Sequence, residues 1–184
     1  VRSLPSVETL GSTTVICSDK TGTLTCNEMT VKKLFVNNKT IEVAGEGYSK
    51  EGSFYYEQKK IDSKDFSLLL KIGALCNDAK LSDKEPLGDP TEISLIVSAH
   101  KAGLIKDELE ERYPRIGETG FSSERKRMST HHKEDGKKIV YCKGAPDVIL
   151  HLCDRINING EVKRLASINK KEILKVNELF ASEA

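Results

Sequence analysis

Residues 14–25 read TVICSDKTGTLT: a β-branched, apolar run that stops abruptly at an acid, Asp19, followed by a lysine, a glycine and three threonines. Residues 13–18 predict a short buried strand. A carboxylate at the carboxyl end of such a strand, with a polar loop behind it, is where open α/β sheets place groups that meet ligands. A capping or turn aspartate would occupy the same position, and position alone leaves both open. The loop composition favours the ligand reading. Lys20 sets a positive charge beside the acid, Gly22 lets a phosphate approach the backbone, and Thr21, Thr23 and Thr25 add hydroxyls. Transfer of a phosphoryl group to a carboxylate needs an in-line oxygen nucleophile and neutralisation of the equatorial oxygens, usually with Mg²⁺.

The bulk composition restricts the remainder. The chain has 184 residues, 38% hydrophobic and 31% charged, enough for one sizeable core plus a piece of another domain. A net charge of +1 with interspersed signs gives no basic face of the kind nucleic acid requires, so no nucleic-acid partner is expected. Five cysteines, at 17, 26, 76, 142 and 153, form no C-x-x-C pair and read as reduced core thiols in a cytosolic setting. The apolar run Leu68-Leu69-Leu70 is broken at once by Lys71, well short of the roughly 18–20 residues that span a bilayer. A start at Val1 without a signal peptide, and a stop at Ala184 soon after a helical pattern, suggest a piece of a longer protein.

Downstream, Thr30–Val36 and Lys39–Ala44 flank Asn37-Asn38 and predict a hairpin, whereas 45–63 reads as a loop. Residues 64–78 carry one apolar helical face. The stretch 88–103, GDPTEISLIVSAHKAG, has the clearest helix start: Asp89 to cap, Pro90 at the first position, Glu92 three after the cap, and Gly103 to stop. A short charged helix follows at 106–113. Two further hairpins are predicted, 127–133 with 137–143 around Asp135-Gly136, and 155–164 around Asn159-Gly160. Pro146 opens one helix, and Ser167 caps a last amphipathic one.

The heptapeptide DKTGTLT at 19–25 resembles the phosphorylation signature of the P-type ATPases, and LPSVETLGSTTVICSDKTGTLTCNEMTV, residues 4–31, is similar to the type II pumps that move calcium or sodium and potassium. That resemblance implies an α+β chain in two parts. Residues 1–28 would begin a haloacid-dehalogenase-like phosphorylation domain with its first strand and DKTGTLT loop. Residues 29–184 would be a nucleotide-binding domain, an antiparallel sheet with flanking helices, lacking its last strand. It also implies a role for each motif. Asp19 would accept the γ-phosphoryl group of ATP, Lys20 and Thr23 would hold loop and phosphate, and Thr21 would join Asp19 in binding Mg²⁺.

Three more segments match the family in order. GDPTE, 88–92, resembles the motif whose glutamate reaches the adenine amino group, although Glu92 equally fits a capping box with Asp89. FSSERKRMS, 121–129, resembles the segment in which Phe121 stacks on the base and Lys126 lines the pocket, against the ordinary reading of Phe121 as core. KGAPDVIL, 143–150, implies Lys143 at the pocket floor and Gly144 where a ligand comes close; a surface lysine is the alternative. Ser123 stands where calcium pumps often carry a phosphate-binding arginine, so either Arg125 or Arg127 compensates or phosphate contacts are fewer.

The T-G-D and G-D-G-x-x-N-D acids that complete the family's Mg²⁺ site do not occur in these residues, so the chain alone is expected not to phosphorylate itself. The expected partners are ATP and the rest of the same pump, its phosphorylation, actuator and membrane domains. The expected setting is the cytoplasmic side of a membrane protein, with calcium the first choice of ion. The alternative is a free-standing soluble nucleotide-binding module or a haloacid-dehalogenase-like phosphatase; the latter would usually carry a second acid where Thr21 stands.

Overall fold

The structure, a computed structural model, describes residues 11–19, 23, 25, 27–82 and 86–183. Among the described residues three antiparallel sheets hold nine strands. The first has order β1 (Lys33–Val36), β2 (Lys39–Val43), β3 (Phe54–Tyr56), β4 (Lys59–Ile61). The second is β5 (Arg115–Ser122), β6 (Arg127–Glu134), β7 (Lys137–Gly144), and the third is the pair β8 (Arg155–Ile158), β9 (Glu161–Arg164). The helices are α1 (Ser67–Leu75), entered through a 3₁₀ turn at Lys64–Phe66, then α2 (Pro90–His100), α3 (Lys106–Arg112), α4 (Pro146–Leu152) and α5 (Ser167–Glu183).

Four hairpins turn on two residues with positive φ: Asn37 and Asn38 (54° and 57°), Glu57 and Gln58 (49° and 65°), Asp135 and Gly136 (48° and 76°), Asn159 and Gly160 (52° and 83°). Two left-handed central residues match the right-handed twist of the strands they join. Three of these turns carry the Asn or Gly that makes the left-handed region cheap. The Glu57-Gln58 turn does not, and that is why 45–63 reads as a loop from sequence while it holds β3 and β4.

Helix α1 joins the two larger sheets. Its Leu70, Ala74 and Leu75 share one core with Ile41, Val43 and Phe54 of the first sheet and Met128 and Tyr141 of the second. Phe54 and Phe66 meet edge to face at 5.1 Å. Helix α2 buries Ile93, Ile96 and Val97 against Ala79 in a second cluster, and its start is as the sequence predicts, with Asp89 Oδ1 accepting from the amides of Thr91 (2.8 Å) and Glu92 (3.4 Å). Within the core, His132 is fully buried; Nδ1 donates to the Tyr113 carbonyl at 2.8 Å and Nε2 lies 2.9 Å from Thr130 Oγ1.

Three expectations are corrected. Residues 13–18 form no strand; Val15 and Ile16 are 72% and 80% exposed. A lone run of this kind has no ladder to satisfy its amides and no sheet face to bury its side chains, since among the described residues no strand lies beside it. Cys17 is accordingly exposed; Cys76 is buried, Cys142 and Cys153 partly so, and none of these four is in a disulfide. Finally, β5 is a full strand where only two strands were expected between 115 and 143. Its glycines at 117 and 120 and two breaks in its register hide the alternation.

Candidate functional site

Two of the candidate residues, Lys143 and Glu92, meet where the second sheet meets the first turn of α2. In β6 and β7, Met128 pairs with Lys143 and Arg127 with Gly144. Opposite cross-strand partners share a face, so Lys143 leaves the sheet on the side where Met128, Thr130 and Tyr141 are buried. At the end of that face its Nζ donates to Glu92 Oε1 at 2.6 Å, with side-chain exposures of 22% and 16%. Two motifs 51 residues apart in sequence thus supply one half-buried ion pair.

Glu92 does not close a capping box. Its second oxygen, Oε2, accepts from the amide of Asp78 at 3.1 Å, in the turn after α1. A carboxylate has about four lone-pair sites; Lys143 and Asp78 take one each. The rest remain for a further donor.

Phe121 sits on β5, which pairs with β6 on the side away from β7. Between the pairs Thr119–Ser129 and Ser122–Arg127, β5 places Gly120 and Phe121 opposite Met128 alone. Such a two-for-one bulge breaks the alternation and re-aims a side chain. Phe121 is 65% exposed, which removes the core reading. Lys126 closes the β5–β6 loop with φ of 48°; it is exposed, and its carbonyl accepts from the Ala145 amide at 3.0 Å. Gly144 makes that approach possible, because a Cβ there would lie 2.5 Å from the Lys126 oxygen and 2.6 Å from Arg127 Cβ. Neither arginine near Ser123 is uncommitted: Arg125 Nη1 donates to the Gly120 carbonyl and Arg127 Nη1 to that of Arg125, both at 3.3 Å.

Glycine in the GDPTE stretch has a structural cause too. Gly88 takes φ of 130°, and a Cβ would fall 2.6 Å from the Ala79 Cβ. The start of α2 and the turn that holds Glu92 are therefore in direct backbone contact. Sequence reading passed over the side chains that build this turn: Asn77, Asp78, Lys106 and Arg115. The available signal was the polar pair Asn77-Asp78 directly after the apolar face of α1.

Asp19 and Thr23 lie in the exposed segment ahead of the sheets, and Lys20 and Thr21 fall outside the described residues. Among the described residues no group of three or more His, Cys, Asp or Glu side chains could hold a metal. One carboxylate with neighbouring oxygens falls short of the octahedral set Mg²⁺ demands, so the described residues do not by themselves make a Mg²⁺ site, and Thr21 lies outside them. No helix among the described residues is long and apolar enough to cross a membrane.

Residues 65–184 match the family described as P-type ATPase, cytoplasmic domain N. The chain belongs to the P-type cation ATPases. The calcium-transporting ATPase 1 of Lactococcus lactis is 40% identical over 185 residues, covering 100% of this chain and 20% of that protein. The calcium-transporting ATPase of Bacillus subtilis is 40% identical over 192 residues, with 100% and 22% covered. The cation-transporting ATPase pma1 of Synechocystis is 40% identical over 185 residues, with 94% and 20% covered. The chain thus spans about a fifth of the length of these relatives. The P-type ATPase match begins at the 3₁₀ turn before α1 and takes in every element that builds the site.

Proposed function

We propose that this chain is the ATP-binding and phosphoryl-acceptor region of a membrane-bound cation pump, facing the cytoplasm, with calcium as the transported ion. The observation that carries the reading is the Lys143–Glu92 pair, 2.6 Å long and drawn from two separate motifs, with the exposed Phe121 on β5 opposite Met128, the cross-strand neighbour of Lys143. A purine ring has the chemistry for this place. Phe121 offers a face to stack on, the unused lone pairs of Glu92 accept the 6-amino group, and Lys126 and Lys143 supply positive charge near an anionic ligand. Phe121 and Glu92 select the base, and the cations hold what is attached to it.

The chemistry belongs to Asp19. One carboxylate oxygen attacks the γ-phosphorus of ATP, an oxygen–phosphorus bond forms, and the bond to the β–γ bridging oxygen breaks, leaving ADP with the electron pair. Lys20 and Thr23 stabilise charge on the transferring group. The acids needed to complete a Mg²⁺ site would come from the rest of the pump, as would the membrane segments that select the ion. The calcium choice rests on the names of the Lactococcus and Bacillus relatives.

Titration of ATP into ¹⁵N-labelled protein tests the pocket. Amide shifts are expected at Glu92, Phe121, Lys126, Lys143 and Gly144. Shifts confined to the neighbourhood of Asp19, or none at millimolar ATP, would refute it.

A further inference from the structure

Lys106 stands at the first position of a seven-residue helix, on the protein surface by sequence, yet it is only 8% exposed. Burial holds its ammonium below the ordinary lysine range, against the pull of Glu110 at 3.5 Å. Its hydrogen bonds show where the charge is used: Nζ donates to the Asn77 carbonyl at 2.9 Å and to the Ala79 carbonyl at 2.7 Å.

The peptide joining residues 77 and 78 is planar, so its carbonyl and its N–H turn together. The carbonyl is held by Lys106, with Arg115 Nη1 a longer second donor at 3.5 Å. The N–H is the Asp78 donor that reaches Glu92 Oε2 at 3.1 Å. Fixing the oxygen therefore aims the hydrogen, and a carbonyl that accepts from an ammonium polarises its own amide towards stronger donation. Other members of the turn act on the same plane. Asn77 Nδ2 donates to the Gly73 and Glu92 carbonyls at 3.0 and 2.8 Å, its Oδ1 accepts from the Ala79 amide at 2.9 Å, and Arg115 Nη1 donates to Asp78 Oδ1 at 2.8 Å. Lys106 alone among these side chains bonds the carbonyls on both sides of Asp78.

We infer that Lys106 is a positioning residue for the nucleotide site: by holding the Asn77 and Ala79 carbonyls it orients the 77–78 peptide, whose N–H fixes the Glu92 carboxylate for the base. This rests on the reading of Glu92 as the acceptor for the 6-amino group.

The test compares dissociation constants for ATP and for purine riboside triphosphate, which lacks only that amino group, in the wild-type chain and in Lys106→Met. The wild type is expected to prefer ATP by about tenfold, the worth of one hydrogen bond to a charged acceptor. In Lys106→Met the preference falls to about twofold or less, while binding of the analogue changes little, because the stacking surface and the cations are untouched. Lys106→Arg, which keeps donors for both carbonyls, restores most of the preference. A folded Lys106→Met that still prefers ATP tenfold overturns the inference and leaves the Glu92 reading standing. A wild type indifferent to the amino group removes that reading, and this inference with it. If Lys106→Met does not fold by circular dichroism, Lys106→Leu, which also lacks any donor, is judged by the same ratio.

Discussion

Replacing Phe121 by alanine separates a ligand-facing ring from a structural one. At 65% exposure, the residue hides about a third of its surface. For a phenylalanine of roughly 200 Å² that is about 70 Å², which at ~25 cal/mol per Å² gives at most about 1.8 kcal/mol, and closer to about 1 kcal/mol once the compactness of the unfolded chain is allowed for. Phe66, 3% exposed and packed on Phe54, should by contrast cost about 3–5 kcal/mol on the same substitution. Binding should show the reverse order. Stacking on a base is worth about 1–3 kcal/mol, so Phe121→Ala should weaken ATP by roughly 5- to 150-fold. Urea unfolding measures the first quantity and calorimetric titration the second. A folded Phe121→Ala with unchanged ATP affinity, or one destabilised as much as Phe66→Ala, would refute the assignment.

Gly88→Ala combines a forbidden backbone angle with a clash against Ala79 and should cost about 2–5 kcal/mol by urea unfolding. Gly103→Ala, at φ of 74° with open space around it, should cost only about 1–2 kcal/mol. The hydrogen bond from Lys71 at 3.0 Å holds the Glu134 carboxyl below its usual range, with Tyr141 as a second donor at 3.2 Å. Its stabilising contribution is therefore present above about pH 4 and disappears as pH falls through the lowered value. Glu134→Gln should be less stable than wild type at pH 6 and equal to it near pH 2.5 in urea titrations; a constant gap across that range would contradict the pair. Incubation of the chain with γ-labelled ATP and Mg²⁺ should leave Asp19 unlabelled, and stoichiometric label at Asp19 would overturn the requirement for acids from elsewhere in the pump.

What the sequence discloses and what it hides follow from the range of the forces involved. Local chemistry is legible. Asp89-Pro90 starts α2, Asn-Asn, Asp-Gly and Asn-Gly mark three hairpin turns, and Gly103 at φ of 74° ends a helix. The motifs also identify Glu92, Phe121 and Lys143 as candidates one by one. Their junction is another matter, because the distance from Lys143 to Glu92 is set by sheet register and by the packing of α1 and α2. The capping-box alternative for Glu92 fails for the same reason: a lysine on β7 and an amide after α1 outbid the local partner. The exposure of Val15 and Ile16 is the converse error, since an apolar run becomes a strand only beside another. Nothing in the composition of residues 45–63 distinguishes a loop from a hairpin that accepts Glu57 and Gln58 at positive φ.

Among the described residues, all the ladders pair strands adjacent in the chain: β1 to β4 in order, β5 to β7 in order, and β8 with β9. During synthesis at about 5–20 residues per second, each sheet can therefore zip as soon as its own last strand has left the ribosome, since hairpins form in microseconds. The ion pair between Lys143 and Glu92 cannot form until β7 has emerged, so it closes only as the second sheet is completed, after the first sheet and α2 have already left the ribosome.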